Sequence, residues 1–124
     1  MPQNIEELAV WQKSIDLTVC IYQLTRGFPK DELYGLVSQL RRAAVSVASN
    51  IAEGRGRLNQ REFRQFLGIA LGSIFEIKTQ LVVAGKLEMG SNAELKKATA
   101  LSDEVSRMLT SLINKLGSEP KAES

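Results

Sequence analysis

Histidine is missing from the chain altogether. Its absence removes the commonest general base, the commonest metal ligand and every Ser-His or Cys-His nucleophile arrangement at once. Cysteine occurs once, at Cys20, so no disulfide can close within the chain and a reducing compartment fits. Cys20 stands between Val19 and Ile21, where a cysteine acts as a small hydrophobe more readily than as a reactive thiol. Aromatic residues make up only 6% of the chain, too few for the pleated faces of a sandwich or barrel. No uninterrupted run of about 18 apolar residues offers a bilayer span. The opening Met1-Pro2-Gln3-Asn4-Ile5-Glu6-Glu7 is acidic and lacks the basic-then-apolar order of a secretory leader. A cytoplasmic address with no membrane partner is therefore expected.

Other chemistries fail on spacing. The Glu-x-x-His pairs of di-iron bundles are absent. Gly54-Arg55-Gly56-Arg57 follows a helical pattern instead of a strand and has no lysine-serine pair, so it does not read as a phosphate loop. No catalytic residue, metal, cofactor or small-molecule substrate is expected. An enzyme built from Asp, Glu, Lys, Arg and Ser alone is the weakest of the functional readings.

What is present is helical. The 124 residues are 44% hydrophobic and 24% charged, enough for one domain with a core of its own. Asn4 and Glu7 suggest a capping box, followed by Leu8, Trp11, Ile15, Val19 and Tyr22 at steps of three and four. Gly27 is the expected left-handed cap, with Pro29 blocking continuation. Asp31 would cap a second helix through Leu33, Val37, Leu40, Ala44, Val47 and Ile51, ended by Gly54 and Gly56. Asn59 and Glu62 open a third through Phe63, Leu67, Ala70, Ile74, Ile77, Leu81 and Ala84 to Gly85. Ser91 and Glu94 open a fourth through Leu95, Ala98, Leu101, Val105, Met108 and Leu112 to Gly117. Links of about 4–6 residues force antiparallel neighbours. The expected fold is all-α, an antiparallel up-down-up-down four-helix bundle over residues 1–117, with 118–124 as a disordered tail.

The second helix carries another stripe, Gln39, Arg42, Ser46, Asn50 and Glu53, set among Ala43, Ala44, Ala48, Ser49 and Ala52. Exposed faces usually carry long charged side chains. Small residues instead admit a second backbone, so a subunit contact is expected here in preference to a plain solvent face. Gly68 and Gly72, one turn apart on the third helix, cost about 1 kcal/mol each relative to alanine. A close helix crossing, within the bundle or between subunits, would offset that.

The formal charge is only +2, but its distribution is uneven. Residues 26–64 hold eight basic side chains against four acidic ones. Arg55, Arg57, Arg61 and Arg64 flank one turn and form a candidate phosphate-contacting patch. Ordinary surface ion pairs are the competing account of the arginines.

The stretch Tyr34-Gly35-Leu36-Val37-Ser38-Gln39-Leu40-Arg41-Arg42-Ala43-Ala44-Val45-Ser46-Val47-Ala48-Ser49-Asn50-Ile51-Ala52-Glu53-Gly54 resembles the four-helix-bundle family named after proteins encoded within intervening sequences of 23S ribosomal RNA genes. Leu8 to Lys13 resembles that family's opening motif, and Glu62 to Leu81 its third helix. The resemblance spans roughly residues 8–85, with the fourth helix matching by pattern alone. Ala48 stands where the family often has proline, which removes a source of kinking. The resemblance implies a cytoplasmic bacterial protein, a left-handed bundle and ring-like homopentamers. It also implies nucleic-acid contact through a basic surface, because related bundles accompany reverse transcriptases of diversity-generating retroelements. It supplies no catalytic residues. Gln39, Arg41, Arg42, Ser46, Asn50, Glu53 and Gly54 match its most recognisable motif and are the expected oligomer contact. The leading functional expectation is a non-catalytic homo-oligomer, a pentamer by resemblance, that binds RNA or DNA. The alternative is a structural or protein-docking ring without nucleic acid.

Overall fold

Four apolar-patterned segments fold as four long helices in a computed structural model that describes residues 4–118. They are α1 (Ala9–Thr25), α2 (Ser38–Arg55), α3 (Gln60–Lys86) and α4 (Asn92–Ser118). No strand occurs among the described residues. Each helix packs on two others, in the order α1, α2, α3, α4 and back to α1. One core runs through all four, from Leu17, Ile21 and Leu24 through Leu40, Val47 and Ile51 to Leu67, Ile74, Ile77, Val105 and Leu109. The reading of 118–124 as a tail falls, apart from Ser118, outside the described residues. Ser118 itself closes α4, which runs straight through Gly117.

α3 and the core of α2 follow the periodicity. Leu67, Ala70, Ile74, Ile77, Leu81 and Ala84 are all buried, and so are Val37, Leu40, Ala44, Val47 and Ile51. The box before α3 forms in both directions. Asn59 Oδ1 accepts from the Glu62 amide at 2.9 Å, and Asn59 Nδ2 donates to Glu62 Oε2 at 3.2 Å. Ser91 Oγ accepts from the Glu94 amide at 3.3 Å at the start of α4. α2 is one unbroken α-helix through Ala48.

α1 departs from the expectation. Its inner face is Val10, Ser14, Leu17, Cys20, Ile21, Leu24 and Thr25, while Val19 is 52% exposed and Tyr22 also faces solvent. Two buried hydroxyls disguised this stripe. Ser14 Oγ donates to Trp11 O at 2.6 Å and Thr25 Oγ1 to Ile21 O at 2.7 Å, so each polar group is satisfied by its own helix and tolerates the core. Nor does Asn4 cap α1. Its carbonyl accepts from the Glu7 amide at 2.9 Å, closing a turn of 3-10 helix over Ile5–Glu7 without a side-chain cap, and Leu8 resets the chain before Ala9.

The entry to α2 is likewise more elaborate than one cap. Gly27 is not left-handed; the positive φ angles belong to Glu88 (58°) and Gly90 (77°), in the link from α3 to α4. After a turn over Lys30–Glu32, the chain makes a wide π-type turn over Leu33–Val37. Glu32, not Asp31, supplies the cap, its Oε1 accepting from the Leu36 amide at 3.1 Å. Gly35, at φ −108° and ψ −110°, breaks the helical geometry inside that turn. The break turns Leu33 and Tyr34 outward, Tyr34 to 92% exposure.

Candidate nucleic-acid interface

The α2–α3 turn leaves four arginines near one end of the core, and the fold gives them different work. Arg57 is held by two carboxylates, Glu53 Oε2 at 3.0 Å and Glu62 Oε1 at 3.6 Å, with its guanidinium 5.0 Å over the Phe66 ring. Arg64 Nε donates to Ile113 O at 3.0 Å. Its guanidinium lies under Gly117, where an added Cβ would come within 2.8 Å of Nη2. That placement puts a cation on the closing carbonyls of α4, where the helix dipole favours it. Arg55 lies 5.9 Å over the Phe63 ring. Arg61 is exposed and forms no ion pair among the described residues.

Arg55, Arg61 and Arg64 therefore have no acidic partner among the described residues, and Arg64 is committed to the end of α4, which leaves Arg55 and Arg61 as the available cations. Between and around the arginines lie two shallow concavities of ≈ 580 and ≈ 650 Å³, with Phe66 in the wall of one and Phe63 and Leu116 in that of the other. Leu58, 99% exposed, forms the tip of the turn. Sequence reasoning missed the phenylalanines beneath the arginines. The i to i+3 step from Phe63 to Phe66 was the available signal, since it sets both rings on the face of α3 that meets the end of α2.

Two residues of the second stripe, Gln39 and Ser46, join α2 to α3. Gln39 Oε1 accepts from Gln80 Nε2 at 3.2 Å, and Ser46 Oγ meets Ser73 Oγ at 3.0 Å. Asn50 Nδ2 donates back to Ser46 O at 2.8 Å and Ser46 Oγ at 3.0 Å. An added Cβ on Gly54 would lie 2.6 Å from Phe66 Cβ, so the two helices touch there. Ala43, Ala44 and Ala48 are covered within the chain. Arg41 turns to α1, its Nε donating to Thr25 Oγ1 at 2.9 Å and its guanidinium 4.5 Å over Tyr22. Arg42 is exposed and carries no hydrogen bond or ion pair among the described residues.

α3 has a second apolar face that the chain does not cover. Ile69, Phe75, Val82 and Val83 are exposed along it, and nothing lies within 4 Å of where Gly68 and Gly72 would carry a Cβ. The two glycines thus mark no crossing inside the chain. α3 is also long and apolar enough, by length and composition, to cross a membrane. Its opposite face is packed into the core, and Lys78 within it pairs with Asp103 of α4 at 3.0 Å.

Among the described residues no group of three or more His, Cys, Asp or Glu side chains is placed to hold a metal ion. Cys20 is buried, and burial pushes its thiol pKa up, a shift that Lys97 opposes and Glu94 reinforces.

Four helices around one core, with an arginine-rich turn at one end and an apolar helix face left uncovered by the chain, define an all-α protein. The chain belongs to the family described as 23S rRNA-intervening sequence protein, which matches residues 6–111 and so reaches well into α4. It is also similar to the crystal structure of a protein of unknown function from the S23 ribosomal protein family of Bacteroides thetaiotaomicron VPI-5482. The TM-score is 0.77 at 23% identity, over 86% of this chain and 96% of that one; this likeness is one of fold. No curated protein matches the chain.

Proposed function

We propose that this protein is a non-catalytic, homo-oligomeric module of the cytoplasm that binds RNA or another nucleic acid. The observation that carries the reading is the arginine end, where Arg55, over the Phe63 ring, and the exposed Arg61 have no acidic partner among the described residues, beside Arg57 over Phe66. Phosphate contacts from such side chains supply most sequence-independent affinity. The subunit is an antiparallel up-down-up-down bundle. Support comes from pairings whose numbers run in opposite senses: Thr18 with Ala44 and Thr25 with Arg41, Gln39 with Gln80 and Ser46 with Ser73, Arg64 with Ile113 and Lys78 with Asp103.

Subunits join through the outward face of α3 together with the Glu53 end of the α2 stripe, leaving Arg42, nearer the start of α2, outside the contact. A contiguous apolar surface of this kind marks interaction sites, and the family resemblance implies a ring of five. A ring repeats the arginine end around its axis, so a modest local charge becomes a collar that engages one polyanion at several points. Arg55→Glu with Arg61→Glu should abolish the gel shift of a single-stranded RNA at about 50 mM salt while the melting temperature holds. Wild-type protein that leaves both RNA and DNA unshifted would reject the reading. The uncovered face of α3 would then favour the second reading, a docking ring without nucleic acid.

A further inference from the structure

The other end of α2 carries a groove that the arginine turn does not explain. Tyr22 from α1, the outward-turned Leu33 and Tyr34, and Val37, Ser38, Arg41, Arg42 and Val45 line an open groove of ≈ 510 Å³. No carboxylate lines it. Arg41 is fixed in place by Thr25 and the Tyr22 face, and neither it nor Arg42 has an acidic group within ion-pair distance among the described residues. The carboxylate of the preceding turn, Glu32, is committed to the Leu36 amide. Two uncompensated guanidiniums thus sit beside two tyrosines, one of them 92% exposed. From Arg42 to Arg55, α2 rises about 20 Å, so this groove and the arginine turn are separate places.

We propose that the Tyr22/Tyr34–Arg41/Arg42 groove binds single-stranded nucleic acid, with an unpaired base stacked on Tyr34 and its phosphate held by Arg42. A flat apolar ring attached to a fixed anion satisfies all these features together. The ring faces offer stacking that any base can use, and the arginines offer charge and cation–π support. A duplex keeps its bases stacked on one another and cannot present one here. The inference rests on the nucleic-acid reading above but adds a dependence on bases that the arginine turn does not require.

The test is fluorescence anisotropy on the full chain at about 50 mM salt, with a labelled oligouridine of about 16 nucleotides and an abasic strand of equal length. Oligouridine should bind tighter than the abasic strand. Tyr34→Ala should weaken oligouridine about tenfold and leave the abasic strand unchanged. Tyr34→Phe, which keeps the ring, should restore binding. Because Tyr34 makes almost no contact with the core, the melting temperature should hold in both variants. Equal affinity for the two strands, an indifferent Tyr34→Ala, or a single nucleotide or poly-glutamate binding as tightly as oligouridine would each overturn the groove. If the strands nonetheless respond to Arg55→Glu with Arg61→Glu, the arginine turn survives alone. Binding of neither strand would overturn both.

Discussion

Gly54 owes its place to the phenylalanines it faces. A methyl there would meet Phe66 Cβ at 2.6 Å and the Phe63 carbonyl at 3.2 Å, neither of them a flexible tip that can swing away. Gly54→Ala should therefore cost about 1–3 kcal/mol through forced separation of α2 and α3, despite alanine's better helix propensity, as measured by denaturant melts. Leu67→Ala removes a fully buried side chain and should cost about 2–5 kcal/mol by the same measurement. Cys20 gives a pH signature. Its raised pKa means that the folded chain keeps the thiol proton where the unfolded chain has lost it. The unfolded state then binds fewer protons, so stability falls as pH climbs through the ordinary thiol range near about 8.5 and on to the raised value. Melting temperatures of wild type and Cys20→Ala, compared between about pH 7 and pH 10, should diverge in that direction. At this scale the sequence was legible where a residue plays the role its type suggests, as Leu67 and Cys20 do. It was not legible for Arg57 and Arg64, because their partners, Glu62 and the Ile113 carbonyl, lie on other elements that only the fold brings near.

Among the elements, α3 was read correctly from its first cap to its last inward alanine, because reciprocal capping and an unbroken apolar period both act locally. α1 was misread for an equally physical reason. Ser14 and Thr25 hide their hydroxyls on their own backbone, so polar residues occupy core positions while Val19 and Tyr22 occupy the outside. The π-type turn before α2 was also illegible, since it depends on Glu32 reaching back to Leu36 and on Gly35 breaking the helical run. The outward face of α3 yields a two-sided prediction. Gly68→Ala and Gly72→Ala meet empty space and should each stabilise a lone subunit by about 0.4–1 kcal/mol. If the face joins subunits, the added methyls should also lower the assembled mass seen by light scattering at micromolar protein. An unaltered oligomer carrying both substitutions would move the subunit contact away from these glycines.

On the scale of the whole molecule, a fold that hides its apolar core leaves three surfaces unused by the single chain: the apolar face of α3, the arginine end and the Tyr34 groove. On the proposed function, the apolar face of α3 is the surface for assembly and the arginine end the surface for charge. With a formal charge of only +2 over the chain, the proposed binding would depend on repetition of a small patch and not on a strong overall field. A ring should accordingly bind a long strand much more tightly than a short one, because linked contacts raise effective concentration.

The most direct test of the central claim is the salt dependence of single-stranded RNA binding, measured by anisotropy from about 50 to about 200 mM salt. Wild-type affinity should fall linearly on a double-logarithmic plot, by about 0.7 per phosphate contacted. The slope should become shallower by about that amount for each engaged copy of Arg61 changed to glutamine. A slope that ignores Arg61→Gln, or no binding at the lowest salt, would contradict the account.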